Sequence, residues 1–169
     1  MTNELALIVA AQFEPVFHNL SISMKTYDSN ALICGTPAWR YVYHTLHSCD
    51  RWLINPEVFD EPAIHTHNLD KVDLPTDTAL SEETLWLYFE QVRDKAIEYL
   101  RSLTDDELCK KPQGCEHTRM ALILAQLRHF NIHIGILNGI TIADTGRYPY
   151  VYGLTSWENA DIGDKLFDE

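Results

Sequence analysis

Apolar and polar positions alternate with the period of an α-helix over most of the chain. The clearest stripe follows Ser81. Leu85, Tyr88, Phe89, Val92, Ala96, Tyr99, Leu100 and Leu103 recur at steps of three and four, which sets one apolar face along a helix. Glu82 and Glu83 stand at its start, where the positive end of the helix favours carboxylates. A first helix is expected from about Asn3 to about Lys25, kinked or split at Pro15, because proline has no N–H to donate and its ring collides with the preceding turn. The second begins at Thr36-Pro37, read as cap and first helical residue, and ends at Asn55-Pro56. Thr104-Asp105-Asp106-Glu107 has the form of a capping box and should open a short helix before Pro112. The last long helix is expected from about Thr118 to Asn138, with Gly139 as its stop signal.

Residues 55–80, rich in Pro, Asp and His, make a long connection that suits a bundle with one crossover link. Residues 140–169 read as an irregular tail whose Tyr148, Tyr150, Tyr152 and Trp157 pack on the bundle or on a second subunit. The pattern thus predicts an all-α, four-helix-bundle domain across 1–169, with the bundle over about 3–139.

Composition narrows the function. A chain of 169 residues can bury the core of one domain. With a net charge of -12 it lacks the cationic surface that releases counterions from nucleic acid, and an anionic membrane is disfavoured for the same reason. Lys110, Lys111, Arg93 and Lys95 are near neighbours but sit among acids. No uninterrupted apolar run approaches the roughly 18 to 20 residues of a membrane span. Leu5 to Ala11 is short and follows Glu4, so it reads as helix rather than as a signal peptide. Cys34, Cys49, Cys109 and Cys115 form no close C-x-x-C pair, and are expected to be reduced, mostly buried thiols of a cytoplasmic protein; Cys109 and Cys115 are the pair near enough in sequence to bridge.

The histidines change the picture most. His129 and His133 are four apart, so their rings lie on one helix face. Leu122, Ala125 and Ile136 share that face, which therefore points inward. Neutral rings placed there each have a donor and an acceptor to satisfy, and two core histidines bonded to backbone or water would do so. A third histidine on another long helix, His44, near Tyr41 and Trp52, favours a shared metal ion instead. Three imidazoles leave a coordination position open, the usual form of a catalytic site.

The segment Thr36-Pro37-Ala38-Trp39 with His44-Thr45-Leu46-His47-Ser48-Cys49-Asp50-Arg51-Trp52-Leu53 resembles the second helix of the DinB/YfiT-like superfamily. Leu127 to Asn138 resembles its H-x-x-x-H-x-G-x-L pattern, and Leu103 to Leu108 is also similar. The likeness runs from about residue 5 to 140. It implies an up-down-down-up four-helix bundle, often a homodimer, with a divalent metal on His44, His129 and His133. It also implies a metal-dependent hydrolase or a transferase of low-molecular-weight thiols. Ile136 departs from the family, where a glutamine is common, so a polar contact beside the metal is expected to be missing. His47, three residues after His44, is the other candidate ligand; the distance to Trp52-Leu53 favours His44 by the resemblance, which leaves His47 beside the ligands or at the surface.

His65 and His67 read as surface-loop residues, unless the loop folds over the bundle mouth; His18 and His117 read as ordinary helix residues. Phe130 follows His129 where a zinc protease needs glutamate, and the Glu-x-x-His pairs of a di-iron bundle are missing. An all-imidazole set suits zinc or nickel, and iron or copper would also fit. Bound water would then be the nucleophile of a hydrolase, and a bound thiolate that of a thiol transferase acting on a small-molecule substrate. Asp50 is the candidate partner for a ligand ring. The rival reading is a non-enzymatic metal-binding or dimeric interaction module, its coordination closed by a fourth protein ligand such as His65 or Asp50.

Overall fold

The computed structural model describes residues 2–153 and 165–168. It is mostly helical: α1 (Glu4–Thr26), α2 (Ala38–Trp52), α3 (Glu82–Ser102), the short α4 (Asp105–Leu108) and α5 (Arg119–Thr145). The described strands are β1 (Leu32–Ile33) and β2 (Thr36–Pro37), an antiparallel pair ahead of α2. The four long helices pack in a cycle, with α1 and α2 each touching both α3 and α5. Their stripes meet in aromatic contacts. Phe17 of α1 lies 6.0 Å from Phe89 of α3 and 5.1 Å from Phe130 of α5, both edge-on.

Several ends differ from those expected. Pro15 lies inside one uninterrupted α1 and does not split it. A proline in a helix interior costs about 3 kcal/mol, but burying a phenylalanine or valine contributes roughly 1.5–3 kcal/mol each, and Phe13, Val16 and Phe17 around it are all buried. Thr36 and Pro37 pair with Ile33 and Leu32, so Pro37 stays extended (φ -64°, ψ 142°) and α2 starts one residue later, at Ala38. Cys34 and Gly35 make the turn of this hairpin with φ of 52° and 84°. At its other end α2 stops at Trp52, because Pro56 forces Asn55 into an extended conformation, and the Asn55 side chain accepts from Glu57 N–H to cap a single 3-10 turn, Pro56–Val58.

The expected starts of α3, α4 and α5 hold. Ser81 accepts from Thr84 N–H, Thr118 from Ala121 N–H, and Glu107 closes back on both the hydroxyl and the N–H of Thr104. However, α5 runs past Gly139 to Thr145. An interior glycine costs only about 1 kcal/mol. The helix ends where the backbone turns left-handed, at Gly146 (φ 70°), whose N–H bonds Ile142 C=O.

By length and composition α1 and α5 reach the range of membrane spans, although no single apolar run does; core helices of water-soluble folds pass the same test, and both helices contribute to the shared core. All four cysteines are free; Cys49 and Cys115 are buried, whereas Cys34 and Cys109 are exposed. Thus the expected burial holds for two of the four.

The crossover loop is strapped to the start of α2. Leu69 is fully buried, and Thr36 Oγ1 donates to Val72 C=O at 2.6 Å. The buried Arg40 guanidinium donates to the carbonyls of Asn68, Lys71 and Leu74 at 2.8, 2.6 and 2.9 Å. The tail returns to α1. The Tyr152 ring stacks on His18 at 3.6 Å, and the Tyr152 N–H and C=O both bond the Asn19 side chain. Trp157 lies outside the described residues.

Candidate metal centre

α2 and α5 bring His44, His129 and His133 together. His129 Nε2 lies 3.0 Å from His44 Nε2 and 3.1 Å from His133 Nε2. Tyr41 stands beside them, its ring 6.0 Å from that of His133. His44 and His129 are half-buried and His133 is buried.

The protons on these rings can be assigned in part from their partners. His44 Nδ1 lies 2.5 Å from Asp70 C=O. A carbonyl only accepts, so Nδ1 carries the proton and the neutral ring turns the Nε2 lone pair toward the other two histidines. His129 Nε2 faces two ring nitrogens, and neutral imidazoles can satisfy at most one of those contacts. Charging the rings is not a ready escape. Burial, then the neighbouring His44, lowers the His129 pKa to about 4. Burial, then His129 and His44, lowers that of His133 to about 3.

One cation that accepts all three lone pairs removes the conflict. Zinc–imidazole bonds of about 2.0–2.1 Å in tetrahedral geometry separate two nitrogens by roughly 3.3 Å, close to the two spacings here. The three residues could therefore hold a metal ion. In that tautomer Nδ1 of His129 and His133 bears the proton. Both atoms are buried and have no hydrogen-bond partner among the described residues.

The structure separates the other candidates. His47 is neither a ligand of this group nor at the surface. It is buried at 3% exposure, with Nε2 2.6 Å from Glu61 Oε2 and its ring stacked on Tyr43 and His65. Asp50 is held by Tyr88 Oη at 3.0 Å and Lys95 Nζ at 2.5 Å, so it ties α2 to α3 instead of supporting a ligand ring. His65 is not a free surface residue: its Nδ1 lies 2.8 Å from Tyr43 Oη. His67 is exposed, as expected. His18 is helical and stacks on Tyr152, whereas His117 lies in the bend before α5.

Sequence reasoning missed Asp70, Glu61 and Arg40. Arg40 carried the one usable signal, an arginine four residues before His44 and so on the same side of the chain. Comparison of the chain with protein-family models, with curated proteins and with solved structures finds no match in any of the three.

Proposed function

We propose that this chain is a DinB/YfiT-like metal protein: an up-down-down-up four-helix bundle, homodimeric and cytoplasmic, that holds one divalent ion, zinc or nickel, on His44, His129 and His133. Its activity is that of a hydrolase or a low-molecular-weight thiol transferase acting on a small molecule. The observation that carries this reading is the meeting of three Nε2 atoms whose lone pairs neutral rings cannot reconcile among themselves. The cyclic packing of the four long helices supports the bundle. Exposed Leu5 and Ile8 on α1, with Leu124 and Ile132 on α5, supply apolar surface for a second copy.

The chain's own part is to orient and to keep neutral. Asp70 C=O fixes the His44 tautomer, the kind of support that metal-bound histidines ordinarily have. Burial keeps His129 and His133 unprotonated well below neutral pH. Asp50 and His65, which could have closed the coordination shell, are engaged elsewhere. When bound, the ion supplies Lewis acidity that lowers the pKa of a water or thiol toward neutrality.

Elemental analysis of tag-free protein tests the site. Each of His44→Ala and His129→Ala/His133→Ala should contain about one equivalent less metal than the parent, with the helical circular dichroism unchanged. Folded variants with the parent's full metal content would remove the site. Turnover that requires a thiol and yields a thiol adduct would identify a transferase; thiol-independent cleavage would identify a hydrolase.

A further inference from the structure

His47, Glu61 and His65 form a separate group in which one donor atom from each lies within 4.8 Å of the others; Glu61 Oε2 is 2.6 Å from His47 Nε2 and 3.7 Å from His65 Nδ1. His47 comes from α2, three residues after His44, while Glu61 and His65 come from the crossover loop. The His47 side chain is 4% exposed, that of His65 18% and that of Glu61 43%, so the group is walled on the protein side and open at the carboxylate. Two imidazoles and one carboxylate make up the donor set of an open zinc or non-haem iron site.

The partners of His65 point the same way. The Tyr43 hydroxyl lies 2.8 Å from Nδ1. The phenolic O–H can donate to Nδ1. Nδ1 then carries the lone pair, which the Tyr43 hydroxyl occupies and which a bound metal would take over by displacing that hydroxyl; the proton sits on Nε2, 3.9 Å from the Asp70 carboxylate. A ring with a lone pair inside the donor group and its N–H turned toward a carboxylate has the orientation found in metal-ligating histidines. Arg51 approaches the other Glu61 oxygen, Oε1, at 3.5 Å, which leaves Oε2 to the histidines. Without a metal, Glu61 Oε2 and His47 satisfy one another at 2.6 Å. Opening that contact to the roughly 3.3 Å of a tetrahedral pair needs only a small shift of an exposed loop side chain.

We propose that His47, Glu61 and His65 form a second divalent-metal site, which takes zinc independently of the three-histidine centre. Zinc titration of the full-length, chelator-stripped protein against a chromophoric chelator tests it. The parent should bind two equivalents; Glu61→Gln/His65→Ala should bind one, and His44→Ala should also bind one. The zinc kept by His44→Ala reads the second site without altering its residues, so the test stands even where the loop variant fails to fold. The proposal is overturned if His44→Ala binds no zinc, or if folded Glu61→Gln/His65→Ala keeps the parent's stoichiometry. A parent with one equivalent, kept in His44→Ala and lost in Glu61→Gln/His65→Ala, would uphold this site and remove the three-histidine one.

Discussion

At the scale of residues, the neutral state of His129 and His133 has a consequence for stability. Both have folded-state pKa values below the ordinary histidine value of about 6.5, at about 4 and about 3, so between those values and 6.5 the unfolded chain binds more protons than the folded one. Their contribution is complete above about pH 6.5 and is lost as the pH falls through about 4 for His129 and about 3 for His133. Metal-free protein should therefore show a urea midpoint that drops between pH 7 and pH 5, with a shallower drop in His129→Gln/His133→Gln. Equal pH dependence in parent and variant would contradict this. The pairing of His129 with His133 was legible because four-residue spacing on a helix is enough to define it. The choice between His44 and His47 was not, since residues three apart share a helix face and their neighbours on the loop decide where each ring goes. Asp50 misled for a related reason. Its partners Tyr88 and Lys95 lie on α3, 38 and 45 residues away.

At the scale of elements, local signals near helix starts were reliable because a cap is satisfied within three residues. Ser81→Ala should cost about 0.5–2 kcal/mol by urea unfolding, since Ser81 caps α3 through Thr84 N–H. Helix ends read less well. Gly139 and Pro15 are unfavourable helix residues on their own, but packing outweighs penalties of this size. The crossover loop was illegible beyond its length, because its attachments are long-range. Arg40→Met should remove the donor of three carbonyls and destabilise the protein by on the order of 2–4 kcal/mol. Zinc affinity at His44 should fall too, as the Asp70 carbonyl loses its placement. Arg40→Lys should restore only part of both, since an ammonium does not reproduce the planar guanidinium fork. Unchanged unfolding and zinc binding in Arg40→Met would show that the strap is dispensable.

At the scale of the whole molecule, the helical class and the meeting of the His129/His133 pair with a third histidine from the second helix were legible, because periodicity and helix spacing survive without knowledge of the loop; which histidine of that helix joins was not. The apolar residues left outside the core bear on assembly. Ile8 on α1 is 55% exposed and Ile132 on α5 is 60% exposed. Light scattering should give twice the chain mass for the parent, and Ile8→Glu/Ile132→Glu should shift the population toward monomer. A monomeric parent would count against the homodimer.

Thr36, Arg40 and His44 stand four residues apart and grip the loop through Val72, Asn68, Lys71, Leu74 and Asp70. Every acceptor in that grip is a main-chain carbonyl, a group that mutation of its own residue does not remove. Over evolutionary time the loop can therefore drift in composition while keeping its seat over the histidines, whereas the three residues that hold it cannot. Descendants of such a protein would share three side chains, one in β2 and two on α2, and little recognisable text in the loop they secure.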